Sequence, residues 1–195
     1  MVEKHLNKIF LSASIPSPER DRKFYDTADI VAIRDAVRAL ATVVIPKAHL
    51  IWGGHPSITP LIRFVMERLN VNVKEHITLY QSLFFEDKFP KDNFAFENIK
   101  LTINAYDKEK SLSIMRDTLI KENDFRVGIF IGGMEGIEKE YKLFINYHPN
   151  ALVLPIASTG AASKILFKKI SNLDIRLLND YAYMALFRDI LDEYI

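Results

Sequence analysis

The chain has 195 residues, 49% of them hydrophobic, enough to bury one sizeable core and within the range of a single domain spanning residues 1–195. With 26 basic and 25 acidic residues the net charge is +1, so nothing drives the chain as a whole toward nucleic acid or an anionic membrane, and an anionic ligand has to be held locally. The absence of cysteine excludes disulfides, a thiol nucleophile and thiolate metal sites, and suits a reducing cytosol.

The N-terminal stretch MVEKHLNKIFLSASIP carries acid and polar residues where a signal peptide has an unbroken apolar region, and no apolar run reaches membrane-spanning length. A cytoplasmic protein is therefore expected. From Lys8, KIFLSA reads as a strand that leaves through the small hydroxyl residues of LSASIP. TADIVAIRDAVRALATVVI follows as a helix, with Ile30, Ile33, Val37 and Leu40 in one stripe and Asp29 in its first turn. HLIW, from His49, is a second strand and runs through Gly53 and Gly54 into PSITPLIRFVMERL, a helix with two prolines confined to its first turn, where the missing N–H is harmless. HITLYQ, from His76, is a third strand. SLFFEDKFPKDNFAFEN has neither period and is expected as an irregular excursion packing its aromatics on the domain. Strand KLTINA, helix DKEKSLSIMRDTLIKE, strand RVGIFI, helix EGIEKEYKLFIN, strand ALVLPI and helices TGAASKILFKKI and DYAYMALFRDILDEY complete the chain. This alternation predicts an α/β, Rossmann-like three-layer fold: a mostly parallel sheet flanked by helices.

Parallel strands end on one edge, and ligands of such folds bind in the crevice there. Three strand ends attract attention: LSASIP, WGGHPSITP and IGGMEGIEKE. Glycine lets the backbone approach a ligand or take up positive φ, and the N–H groups of a following helix favour an anion. Two Gly-Gly turns point to two parts of one ligand. Each turn taken alone is also what any tight strand-to-helix turn looks like. Neither is a Walker A loop, and neither has the spacing of the dinucleotide fingerprint. His55 is open to two readings, a solvated turn residue or a phosphate-facing donor. Glu138 reads as part of a charged helix face. His49, His76 and His148 lack partners at metal-ligand spacing and read as structural, so no metal site is expected.

Together, FLSASIP, IWGGHPSITPLI, SIMRD and IFIGGMEGIEKEY resemble the SLOG superfamily over nearly the whole chain. This Rossmann-like group includes the LOG phosphoribohydrolases, the DNA-processing protein DprA and nucleotide-sensing domains of channels and anti-phage effectors. LOG enzymes carry Pro-Gly-Gly-x-Gly-Thr-x-x-Glu. Here Gly132 and Gly133 match the glycine pair, Gly136 the later glycine after one extra residue, and Glu140 the terminal Glu, while Ile137 stands where the Thr is expected. Arg116 sits where the group often carries a ligand-binding Arg.

The resemblance implies a pocket for a nucleotide-derived ligand. It assigns Gly53, Gly54 and His55 to one phosphate, and Ser12 and Ser14 to phosphate or ribose. Gly132, Gly133, Met134, Glu135 and Gly136 fall to the sugar or second phosphate, Glu140 to a ribose hydroxyl, and Arg116 to negative charge. Ser158 and Thr159, in ASTGAAS, are expected to complete that edge or to serve as an ordinary helix cap. Two functions follow. One is a sensor of an NAD-derived signal, such as a cyclic ADP-ribose isomer made by a TIR-type enzyme in anti-phage defence, which reports through homo-oligomer assembly or an effector partner. The other is a phosphoribohydrolase in which Glu140 and Arg116 are catalytic. The sequence departures favour the sensor. No cofactor beyond the ligand, no membrane and no general nucleic-acid binding are expected.

Overall fold

The computed structural model describes residues 6–69 and 74–195. Six parallel strands form the central sheet: β1 (Lys8–Ser14), β2 (His49–Gly53), β3 (Ile77–Ser82), β4 (Ile99–Thr102), β5 (Phe125–Gly132) and β6 (Leu152–Ile156). Their spatial order is β4-β3-β2-β1-β5-β6. The chain walks outward from β1 to β4, then returns to the other side of β1 for β5 and β6, which puts the reversal of strand order between β1 and β5.

Among the described residues, eight α-helices cover the two faces: α1 (Arg22–Tyr25), α2 (Ile30–Val44), α3 (Thr59–Met66), α4 (Lys108–Lys121), α5 (Glu135–Tyr147), α6 (Ala161–Lys169), α7 (Arg176–Asn179) and α8 (Tyr183–Ile190). On one face Ile9, Leu11, Trp52 and Ile129 pack against Ile33, Val37 and Leu40 of α2, Ile62 of α3 and Phe187 of α8. On the other, Phe10, Ile51, Tyr80 and Phe130 meet Met115 and Leu119 of α4, Phe144 of α5 and Leu166 of α6. Alternation along β1 assigns Ile9 and Leu11 to the first core and Phe10 to the second, as strand geometry requires. Phe10 and Phe144 stack at 5.5 Å. The sequence-expected α/β Rossmann-like architecture is thus present, with every strand pair parallel.

Local chemistry sets the helix starts. Asp29 accepts a hydrogen bond from the Ala32 N–H at 2.9 Å and caps α2, and Asp107 does the same for Lys110 at 2.8 Å on α4. The phenylalanine-rich excursion after β3 forms two short 3-10 segments, Leu83–Lys88 and Lys91–Ala95. Only part of its aromatic content packs inward: Phe96 meets Trp52 edge-on at 5.2 Å, whereas Phe94 stands 88% exposed. Among the described residues no helix is long and apolar enough to cross a membrane.

Candidate functional site

At the carboxyl ends of the strands, beside the β1/β5 reversal, lies a cleft of about 440 Å³. The ends of β1, β2 and β3 form its floor, α4 and the first turns of α5 one wall, and the excursion after β3 another. Five basic side chains (Arg20, Lys88, Lys108, Arg116, Lys139) face three carboxylates (Glu109, Glu135, Glu140) around it. The lining is therefore two charges more positive than negative, a local surplus that the whole-chain charge conceals.

At the centre is a carboxylate fixed from two sides. Ser12 lies on the Phe10 side of β1, facing α4 and α5, and its hydroxyl donates to one oxygen of Glu140. The Arg116 Nε–H donates to the other oxygen at 3.0 Å. All three residues are largely shielded: Ser12 is 2% exposed, and the Arg116 and Glu140 side chains are 13% and 19% exposed. Such a charge-assisted pair in a partly buried site orders its members more strongly than a surface ion pair does. Gly136 makes the arrangement possible, because a Cβ there would stand 2.9 Å from Nη2 of Arg116. No side chain caps α5, and its N-cap Met134 and first-turn residues Glu135 and Gly136 line the cleft, so the start of the helix and the positive end of its dipole border the cavity. Glu135 is also ion-paired to Arg20 across the mouth.

The Gly53-Gly54 turn lines the cleft, with neither glycine at positive φ. The Gly54 N–H is already engaged by the Tyr80 carbonyl at 2.8 Å, so it offers no anion contact. His55 Nδ1 accepts from the Ser57 N–H at 3.2 Å, which leaves the proton of the neutral ring on Nε2. Burial, with a smaller contribution from Arg20, lowers its pKa to about 4. His55 is therefore a neutral donor near neutral pH and carries no positive charge to a phosphate.

The Gly132-Gly133 turn is different. Both residues have positive φ, +59° and +74°, and neither lines the cleft. The Gly132 N–H donates to the Thr159 hydroxyl at 2.9 Å and to Ser163 at 3.2 Å, and the Gly133 N–H donates to the Ser14 carbonyl at 2.8 Å. Thr159 in turn donates to the Ile156 carbonyl, and the Ser158 hydroxyl pairs with Tyr183 at 3.0 Å. The loop after β6 thus acts as a clasp on the end of β5, and Ser158 and Thr159 do not reach the cleft. Of the residues singled out in the sequence, the fold brings Ser12, Ser14, Gly53, Gly54, His55, Arg116, Met134, Glu135, Gly136 and Glu140 together around one cavity.

The SLOG cluster3 family matches residues 23–191. The chain belongs to the SLOG cluster3 family. Its fold is also that of the X-ray structure of TM1055, Northeast Structural Genomics Consortium target VT76, with a TM-score of 0.58 and 13% identity over 88% of this chain and 89% of that one. No curated protein matches the chain.

In this SLOG cluster3 domain the cleft also recruits residues that the motifs did not mark. Arg20 comes from the loop after β1, Lys108 from the first turn of α4, and Phe85, Lys88 and Phe89 from the excursion. Lys88 and Lys108 make no ion pair with another described residue. Gln81, near the end of β3, is buried against Gly54. The one signal available in the sequence was position, since each follows or ends a strand or opens a helix at the same edge. The other three histidines of the described residues hydrogen-bond within the fold: His49 with Thr78 at 2.8 Å, His76 with the Ile45 carbonyl at 2.6 Å and His148 with the Ile120 carbonyl at 2.8 Å. Glu138 pairs with Lys169 at 2.7 Å. Among the described residues, no group of three or more metal-ligating side chains is assembled.

Proposed function

We propose that this SLOG domain binds an anionic nucleotide derivative in the cleft, and that the ligand is an NAD-derived signal of the cyclic ADP-ribose type rather than a substrate turned over rapidly. The observation that carries this reading is the positive surplus of a cleft bordered by the uncapped start of α5. The volume is in the usual range for small-molecule sites, roughly 300–1,000 Å³. Arg116 and the α5 N-terminus supply donors for phosphate, and the outward lone pairs of Glu140 accept from ribose hydroxyls. Where a hydroxyl would help to hold phosphate, Ile137 offers only an apolar side chain, 3% exposed and folded over Gly133. Occupancy would be reported through assembly or an effector partner, with a TIR-type enzyme as the source of the ligand. Calorimetric titration with cyclic ADP-ribose isomers, ADP-ribose, NAD and AMP tests the proposal: at least one binds with 1:1 stoichiometry, and a flat heat trace for all of them refutes it.

One observation favours a second reading, hydrolysis of a nucleoside monophosphate to base and ribose 5-phosphate. Glu140 is an oriented, partly buried carboxylate in the cleft, suited to stabilising an oxocarbenium-like transition state. Release of adenine from AMP is expected to be slow or absent. Robust turnover abolished by Glu140→Gln would make the hydrolase the better reading.

A further inference from the structure

Gln81 is the penultimate residue of β3, lines the cleft and is 5% exposed. Its backbone carbonyl accepts from the Thr102 hydroxyl at 3.4 Å, but its carboxamide makes no hydrogen bond with any described residue. Its amide atoms are not among the fully buried polar atoms left without a partner, so they open onto the cleft and are free to hydrogen-bond what enters it. The amide is also held in position. It occupies the space where a Cβ on Gly54 would lie, and Leu79 closes the same space from beside it. From the excursion that follows β3, Phe85 and Phe89 add aromatic side chains to the lining of the same cleft. Donor-acceptor recognition beside aromatic surface is what a nucleobase requires, whereas phosphate and ribose are served by Arg116 and Glu140.

We infer that Gln81 is the base-recognition residue of this cleft and that it selects adenine, an inference that rests on the cleft being a nucleotide site. A carboxamide presents an acceptor beside a donor, matching the amino group and ring nitrogen of adenine. On the edge that carries the 6-amino group and N7, hypoxanthine presents two acceptors, O6 and N7, so the Gln81 carbonyl meets an acceptor whichever way the amide is turned. Gly54 then has a defined task, leaving room for this amide.

The test titrates the full chain and Gln81→Leu with AMP, IMP and ribose 5-phosphate. The wild type binds AMP roughly tenfold or more tighter than IMP, Gln81→Leu loses that preference, and ribose 5-phosphate binds both proteins alike. Equal wild-type affinity for AMP and IMP overturns the inference, as does a Gln81→Leu protein that keeps the preference. Binding of ribose 5-phosphate without base preference removes the role of Gln81 and leaves the nucleotide site standing. No binding of AMP, IMP or ribose 5-phosphate removes the role of Gln81, and the nucleotide site itself falls only if the NAD-derived ligands also fail to bind. If Gln81→Leu does not fold, the wild-type AMP-to-IMP ratio still decides.

Discussion

The two Gly-Gly turns look alike in the sequence, each closing a strand and opening a helix, yet they answer different physical demands. Gly132 and Gly133 are needed for their backbone: both sit at positive φ, and both N–H groups are spent inside the fold, on Thr159, Ser163 and Ser14. Gly53 and Gly54 have ordinary φ and are needed for their missing side chains, since Met115 lies 3.1 Å from where a Cβ of Gly53 would be and Gln81 fills the space beside Gly54. One pair shapes the chain and the other shapes the cleft. A glycine doublet alone does not distinguish a ligand cradle from a strained turn, so substitutions should.

The largest effect is expected at Gly133→Val. A β-branched residue at φ +74° is strained by roughly 1–3 kcal/mol, and its Cβ overlaps Ile137, adding about 1–3 kcal/mol of overpacking. Thermal unfolding should move down by roughly 5–20 °C. Had Gly133 cradled the ligand, as the family resemblance implies, the variant would keep its fold and lose only binding. The clasped backbone of Gly133 reverses that expectation, and an unchanged melting temperature would restore it.

Gly54→Ala comes next and should behave in the opposite way. The backbone tolerates alanine, while the new Cβ pushes on the Gln81 carboxamide and on Leu79. A stability loss of about 1 kcal/mol is expected, together with a fall in AMP affinity of roughly tenfold. Gly136→Ala is milder still. At the start of α5 the substitution favours the helix by roughly 0.5–1 kcal/mol, but it crowds the Arg116 guanidinium. Melting at or above the wild-type temperature with weaker nucleotide binding is the expected pair of results. Unchanged affinity in either variant would remove that glycine from the site.

The fold was readable because its signals are local. Strands of consecutive apolar residues buried on both faces, helices with stripes such as Ile33, Val37 and Leu40, and Asp29 as a cap all sit within a few residues of one another. The pairing of Ser12 with Glu140, 128 positions apart, was approached only through family resemblance. Gln81 was not approached at all, because a glutamine at a strand end carries no pattern, and its meaning comes from what it lacks in three dimensions. Thr159 and Ser158 were misleading for a related reason. A hydroxyl-rich strand end is equally suited to hold a ligand or a neighbouring backbone, and Gly132 takes Thr159 for the latter purpose.

A pH dependence is expected that centres on the first of the two turns and the sheet beside it. His55, in the Gly53-Gly54 loop, and His49, at the start of β2, both have pKa values lowered from 6.5 to about 4, chiefly by burial. In the unfolded chain each takes up a proton near pH 6.5, whereas in the folded chain each does so only near pH 4. Between these values the unfolded state binds more protons, so stability rises with pH across that window and levels off above it. The lowered carboxyl groups of Asp21, Glu109 and Asp174 act in the same direction, in a lower range near or below their ordinary values of 3.8 to 4.5. Melting curves from pH 7.5 to 4.5 should therefore show a steady loss on acidification, shallower in His55→Asn and in His49→Asn and shallowest in the double variant. Because Nδ1 of His55 accepts from Ser57, protonation also breaks the hydrogen bond that shapes the loop. Nucleotide affinity should then fall below about pH 5 in the wild type, while His55→Asn should be weaker but nearly flat over the same range. A wild-type stability profile unchanged by either substitution would show that neither histidine is held neutral by the fold.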